Sequence, residues 1–186
     1  GKSTLMRLLA GKEEPDTGTI VWGETIKIGY FAQECEVMDE QQRVIDYIRD
    51  AAEYIQTSDG RISASRMLER FLFSPDMQYA PIAKISGGER RRLYLLKVLM
   101  EAPNVLILDE PTNDLDIATL QVLEGFLDNF PGIVIVVSHD RYFLDRISDR
   151  IASFEDGQIR IYEGGYTDYM EKRKQREDGE ESGWNG

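Results

Sequence analysis

Val105-Leu106-Ile107-Leu108-Asp109-Glu110 decides the fold. Four consecutive apolar residues with no polar alternation read as a strand covered on both faces, the pattern of a parallel sheet. The run stops at two carboxylates, which puts acid at the C-terminal edge of that sheet, where open α/β sheets bind their ligands. Adjacent strand residues point to opposite sides. Asp109 and Glu110 are therefore expected to divide the work, one supporting a divalent cation and the other orienting and polarising a water. Standing alone, the same run also reads as a buried strand leaving into a charged turn.

Working outward, Leu93, Leu96 and Met100 extend a helix from Glu89 that stops before Pro103. Downstream, Ile117–Leu127 is helical, Ile133–Val137 is a second buried strand, and Arg141–Ile147 is a short helix. Arg150–Phe154 and Gln158–Tyr162 pair as a hairpin around Asp156-Gly157. From Tyr166 the chain turns charged, and a helix frays into a solvated tail at Glu177-Asp178-Gly179-Glu180-Glu181. At the other end, Gly1-Lys2-Ser3-Thr4 opens a helix carrying Leu5, Leu8 and Leu9 that Gly11 stops. Thr19–Trp22 and Thr25–Tyr30 read as two short strands turning at Gly23-Glu24. Gln41–Tyr54 and Ser63–Phe73 are amphipathic helices separated by Thr57-Ser58-Asp59-Gly60, and Pro75 and Pro81 bracket a loop. The alternation predicts an α/β fold with a parallel core, interrupted from about Cys35 to Ile85 by an inserted helical subdomain. Four segments follow: 1–34 as the first part of the core, 35–88 as the helical subdomain, 89–164 as the rest of the core, and 165–186 as a charged extension.

Composition narrows the function classes. The 186 residues carry 34 acidic against 22 basic side chains, a net charge of −12, with 41% hydrophobic residues. That is a globular composition, and a pI near 4.6 argues against nucleic-acid binding by bulk charge. No apolar run approaches the ~20 residues of a membrane span. Cys35, the one cysteine, permits no internal disulfide. The expectation is a cytoplasmic chain with no membrane insertion.

Gly1-Lys2-Ser3-Thr4 matches the back end of a P-loop, in which backbone N–H groups cradle phosphates, the lysine reaches the β- and γ-phosphates and the hydroxyl holds Mg²⁺. The same four residues can also simply cap a helix. Ser86-Gly87-Gly88-Glu89 places two glycines and a cap at a helix N-terminus, which suits an anion as well as an ordinary turn. His139, the one histidine, sits where the Ile133–Val137 strand ends and is set to donate to a phosphate oxygen. Gln33 ends a strand in the same way and is a candidate sensor of metal or water. Cys35 is passive, and Arg90-Arg91-Arg92 reads as a solvated helix face rather than a phosphate contact.

Lys2-Ser3-Thr4, Gln33, Ser86-Gly87-Gly88-Glu89, Leu108-Asp109-Glu110-Pro111-Thr112 and His139, in this order and over nearly the whole chain, resemble an ATP-binding cassette. Thr112-Asn113-Asp114-Leu115-Asp116, Ser138-His139-Asp140-Arg141-Tyr142-Phe143-Leu144-Asp145 and Glu89 in place of a glutamine are similar to the F subfamily, whose members carry two cassettes on one chain. Gly23-Glu24-Thr25-Ile26-Lys27-Ile28-Gly29-Tyr30 resembles the second, C-terminal cassette of Uup-like members. The resemblance enters within the P-loop: the aromatic that stacks on adenine, the first strands and the front of the P-loop have no counterpart.

The resemblance implies a P-loop NTPase that binds and hydrolyses ATP with Mg²⁺ when it closes head-to-tail on a second cassette, and that is inactive in isolation. Gly1, Lys2, Ser3, Thr4, Gln33, Asp109, Glu110 and His139 would serve one nucleotide, with Ser3, Gln33 and Asp109 at the metal and Glu110, His139 and Gln33 at the chemistry. Ser86, Gly87 and Gly88 would close over the nucleotide of the other cassette, and Asp116 would cross between them. Family members act on the ribosome and its rRNA to regulate translation. A transporter's nucleotide-binding subunit, an ATP-gated clamp with little turnover and, more distantly, a DNA-repair cassette are the competing readings. The wording at Thr112–Asp116 and His139–Asp145 counts against the transporter.

Overall fold

Residues 1–182 are described in the computed structural model, in two compact units that divide after Val137. In the first, α1 (Lys2–Leu9) starts at Gly1 and closes where Gly11, at φ +70°, donates to the Leu8 carbonyl. There follow β1 (Ile28–Phe31), α2 (Val44–Ala51), β2 (Tyr54–Thr57), β3 (Gly60–Ser63), α3 (Ala64–Arg70), α4 (Pro75–Tyr79) and a 3-10 turn at Ile82–Lys84. α5 (Gly87–Met100), β4 (Val105–Asp109), α6 (Ile117–Asp128) and β5 (Ile133–Val137) complete it.

β1, β4 and β5 form a parallel sheet in that order, with Phe31 opposite Leu108 and Asp109 opposite Val137. This register brings the chain out of all three strands at one edge. β4 lies in the middle and its Leu106, Ile107 and Leu108 are buried, as a doubly covered strand requires. β5 does not share that burial: it pairs with β4 on one side, its residues are half-covered, and Ile133 is 60% exposed. Between β1 and α5 the packing is close enough to demand glycine. A Cβ at Gly29 would lie 2.7 Å from Pro103 and 3.1 Å from Val98.

The expected strand at Thr19–Trp22 is absent, and 25–30 is not half of a hairpin. The Trp22 indole donates to the Leu9 carbonyl at 3.1 Å, which ties that stretch to the end of α1. Asn104 bonds the Lys27 N–H and the Thr25 carbonyl, each at 2.7 Å, and so hands the chain to a parallel partner, β4. A second difference lies in the inserted subdomain, which contains a β-hairpin. Ile55 and Ile62 pair and are buried, and the Thr57 hydroxyl closes the turn on the Gly60 carbonyl at 3.0 Å. A period of two had been masked by the helical runs on either side. Between Pro75 and Pro81, where a loop is expected, Ser74 caps α4 and Pro75 takes its first position.

The helices of the insertion pack on α5, and their Val44, Ile45, Ile48, Met67 and Leu68, with Leu96 of α5, are all essentially inaccessible. Buried Gln78 is satisfied by Ser65 and by the Phe73 carbonyl. The second unit holds α7 (Arg141–Ile147), an antiparallel pair β6 (Arg150–Glu155) and β7 (Gln158–Glu163), and α8 (Tyr166–Ser182). Asp156 and Gly157 both adopt positive φ, the two-residue turn that matches strand twist. One face of the pair meets α8, where Tyr162 and Tyr169 stack edge-on at 5.0 Å and Glu155 accepts from Arg176. The helix expected from Tyr166 continues through the acidic run to Ser182; residues 183–186 of the extension lie outside the described residues.

Candidate functional site

At the C-terminal edge of the parallel sheet, Ser3 of α1 meets Asp109 at the end of β4, and Glu110 follows it. α1 presents its N-terminus there with no side-chain cap and no acidic residue in its first turn, so its N–H groups and the exposed Lys2 suit an anion. Gly1 supplies the carbonyl that starts the helix, and Thr4 is exposed. The Ser3 hydroxyl donates to Asp109 Oδ1 at 3.3 Å, a contact between residues 106 positions apart. Asp109 is 1% exposed and Glu110 6% exposed.

These two carboxylates are not separated by strand pleat, as their adjacency suggests. Glu110 leaves the strand at φ +52°, its N–H extending the ladder to the Val137 carbonyl at 2.8 Å while its carbonyl accepts from Asn113. A left-handed turn, not strand alternation, sets the direction of its side chain. Gln33 is exposed two residues beyond β1, at the same edge. The Tyr94 hydroxyl holds the chain just before it, accepting from the Ala32 N–H and donating to the Tyr30 carbonyl, both at 3.3 Å.

Ser3 and Asp109 present hard oxygen donors side by side, and Gln33 offers an amide oxygen two residues beyond the neighbouring strand β1. That set suits Mg²⁺, which keeps few protein ligands and takes the rest from phosphates and water. Among the described residues no group of three His, Cys, Asp or Glu side chains forms a metal site.

Ser86, Gly87 and Gly88 begin α5 through a complete capping box. Ser86 Oγ accepts from the Glu89 N–H at 3.1 Å, and the Glu89 carboxylate accepts from the Ser86 N–H at 2.7 Å. A Cβ on Gly88 would lie 3.8 Å from the Asp114 carbonyl, so this turn is brought up to the loop 110–116. Asp116 ends that loop as the cap of α6, accepting from the Thr119 N–H at 2.7 Å and lying 3.7 Å from Arg92. The hydrogen bonds from the Thr119 side chain and backbone hold its carboxyl below the usual range. His139 belongs to the second unit. It is exposed, two residues beyond the end of β5, in a turn fixed by Ser138, which accepts from the Asp140 N–H, and by Asp140, which caps α7.

Two residues of the arginine run depart from the solvated face expected of it. Arg91 and Arg92 are 3% and 8% exposed, not a solvated face. Arg91 stacks on Phe31 and Arg92 on Phe73. The signal was available in the near-continuous apolar run from Leu93 to Met100. It marks a helix enclosed on all sides, whose flanking arginines are enclosed with it.

The family profile described as "ABC transporter" matches residues 1–113. The chain is 57% identical over 176 residues to the "Uncharacterized ABC transporter ATP-binding protein YfmR" of Bacillus subtilis, covering 94% of this chain and 28% of that protein. It is 42% identical over 175 residues to the "Energy-dependent translational throttle protein EttA" of Escherichia coli K12, covering 94% of this chain and 32% of that one. It thus spans about a third of the length of these relatives. Among solved structures, an ATP-binding subunit of an ABC transporter superposes with a TM-score of 0.73 at 18% identity, covering 94% of this chain and 78% of that one. The parallel core with its helical insertion is therefore that of an ABC-type P-loop NTPase, and the chain belongs to the ABC transporter family of ATP-binding cassettes.

Proposed function

We propose that this chain is an ATP-hydrolysing cassette of the F subfamily, in its Uup-like branch. It is the C-terminal one of two cassettes that close on ATP, in a cytoplasmic factor acting on the ribosome and its rRNA. The observation that carries the ATPase reading is the Ser3–Asp109 hydrogen bond at 3.3 Å with Glu110 buried beside it. The ribosomal part draws on 42% identity to a protein named for throttling translation and on the F-subfamily wording of Thr112–Asp116 and Ser138–Asp145.

Lys2 and the N–H groups of the first turn of α1 would hold the β- and γ-phosphates of ATP. Ser3, Asp109 and Gln33 would hold Mg²⁺, which supplies charge neutralisation at the phosphate oxygens. Glu110 accepts the proton of the attacking water, from a main chain pinned to β5 through its N–H. His139 donates to the γ-phosphate. Ser86, Gly87 and Gly88 serve the nucleotide of the partner cassette, with Asp116 between the two.

The test is Glu110→Gln in the full-length polypeptide. The shape is kept and the proton acceptor is lost, so turnover should fall by about a hundredfold or more while ATP stays bound. Bound ATP should hold the cassettes closed and arrest translation on the ribosome. Hydrolysis at the wild-type rate would overturn the assignment. Sedimentation with ribosomes, against co-purification with a membrane protein, separates this reading from a transporter subunit. Among the described residues no helix is long and apolar enough to cross a membrane.

A further inference from the structure

Arg91 is a buried cation in an unexpected place. Its guanidinium lies 3.9 Å from the centre of the Phe31 ring and 5.9 Å from that of Tyr94, and none of its three nitrogens meets a hydrogen-bond acceptor. Leaving charged donors unpaired in a buried site costs more than stacking on a ring returns. Burial pushes the guanidinium pKa down, while Cys35, Tyr94, Asp114 and Asp109 act against that shift. Arginine stays protonated in such surroundings. A side chain that weakens the state observed has a reason to be there only if another state uses its donors.

Its neighbours indicate that state. Phe31 ends β1, and Gln33 follows two residues later. Tyr94 fastens the backbone on either side of Phe31, and the Cys35 thiol lies 3.9 Å from the Arg90 carbonyl. The helix that opens with Ser86-Gly87-Gly88 thus lies along the chain that carries Gln33. Any movement of residues 32–36 toward a bound nucleotide changes what lies over the Arg91 guanidinium, which is stacked on Phe31 immediately before that segment.

We propose that Arg91 is a positioning residue for Gln33: in the nucleotide-bound state its guanidinium donates to main-chain carbonyls of residues 32–36 and ties that segment to the helix bearing Ser86-Gly87-Gly88. The proposal rests on the ATPase function proposed above. It makes α5 the link between the nucleotide served by Gln33 and the one served by Ser86.

Arg91→Leu and Arg91→Lys in the full-length polypeptide test it, with Arg91→Met standing in should the leucine variant fail to fold. Cys35 reports on the segment directly, through its alkylation rate followed by mass spectrometry of its own peptide. In the wild type, Mg·ATP should change that rate by about threefold or more. Arg91→Leu should lose this dependence and lower kcat about tenfold, with KM within about twofold and Tm not reduced. Arg91→Lys keeps a donating cation and should recover the nucleotide dependence and part of kcat. The proposal is overturned if wild-type Cys35 ignores ATP, if the leucine variant behaves as wild type, if the lysine variant recovers nothing, or if kcat falls only in step with Tm. A wild type that neither binds nor hydrolyses ATP sinks the ATPase reading itself, a result distinct from active wild type matched by its Arg91 variants.

Discussion

Glu110 concentrates two demands in one residue, a carboxylate at the sheet edge and a backbone at φ +52° that glycine would prefer. Conformations of this kind cost about 1–3 kcal/mol and persist where the surroundings fix them; here the N–H bond to Val137 and the Asn113 bond to its carbonyl do so. Glu110→Gly should therefore melt at or above the wild-type temperature although it deletes a buried side chain. Glu110→Val, β-branched at positive φ, should lose about 1–3 kcal/mol. Thermal denaturation of the two variants decides the point, and a glycine variant less stable than the valine one contradicts it. The chemistry of this residue was legible, because an apolar run that stops at two carboxylates announces a sheet edge. Its backbone was not. The turn is imposed by a bond to β5, a strand more than twenty residues later, and the Ser3–Asp109 pairing is likewise visible only once the chain has folded.

Elements show where local signals suffice. The Ser-x-x-Glu spacing at Ser86–Glu89 is a capping box in sequence and in structure, and Asp116 caps α6 by the same kind of contact. Asp116→Ala should cost about 1 kcal/mol near neutral pH through loss of the cap. Its folded pKa is depressed, with the Thr119 hydrogen bonds leading and Arg92 adding to them. The stabilisation is therefore present above the unfolded carboxyl value, about 3.9, and is lost as pH falls through the lower folded value. Urea denaturation of wild type and variant at neutral pH and near pH 3 should show the gap between them shrinking in acid. A gap that widens would contradict the assignment. Features that depend on a distant partner, whether pairing or burial, were not legible. Ile28–Phe31 sits near a turn-like Gly23-Glu24, yet Asn104 directs it to a parallel neighbour. Ile55 and Ile62 alternate too briefly between helices to announce a hairpin, and Ile133–Val137 is as apolar as β4 although only one of its edges is paired.

At the scale of the whole molecule, the arrangement of α5 bears on how two cassettes would meet. Ser86 engages the N–H of Glu89 through its hydroxyl and that of Arg90 through its carbonyl, which leaves the Gly87-Gly88 pair at the mouth of the helix for an anion. The turn meets the loop 110–116, whereas α1, with Lys2, touches β4 through Ser3. Under the proposed function these two sets of residues, on separate elements, serve two nucleotides, as a head-to-tail pairing requires. Ser86→Arg fills the mouth of α5 with a long side chain and forfeits a cap of about 1 kcal/mol, but touches nothing in α1. It should leave ATP binding at the Lys2 site largely intact and prevent ATP-driven closure with the proposed second cassette. His139→Ala should permit closure and slow hydrolysis at the site that contains Glu110. Site-resolved nucleotide binding in the full-length protein, with its proposed second cassette, distinguishes the geometries. If Ser86→Arg empties the Lys2 site and spares the opposite one, both sets serve a single nucleotide and the head-to-tail arrangement is refuted.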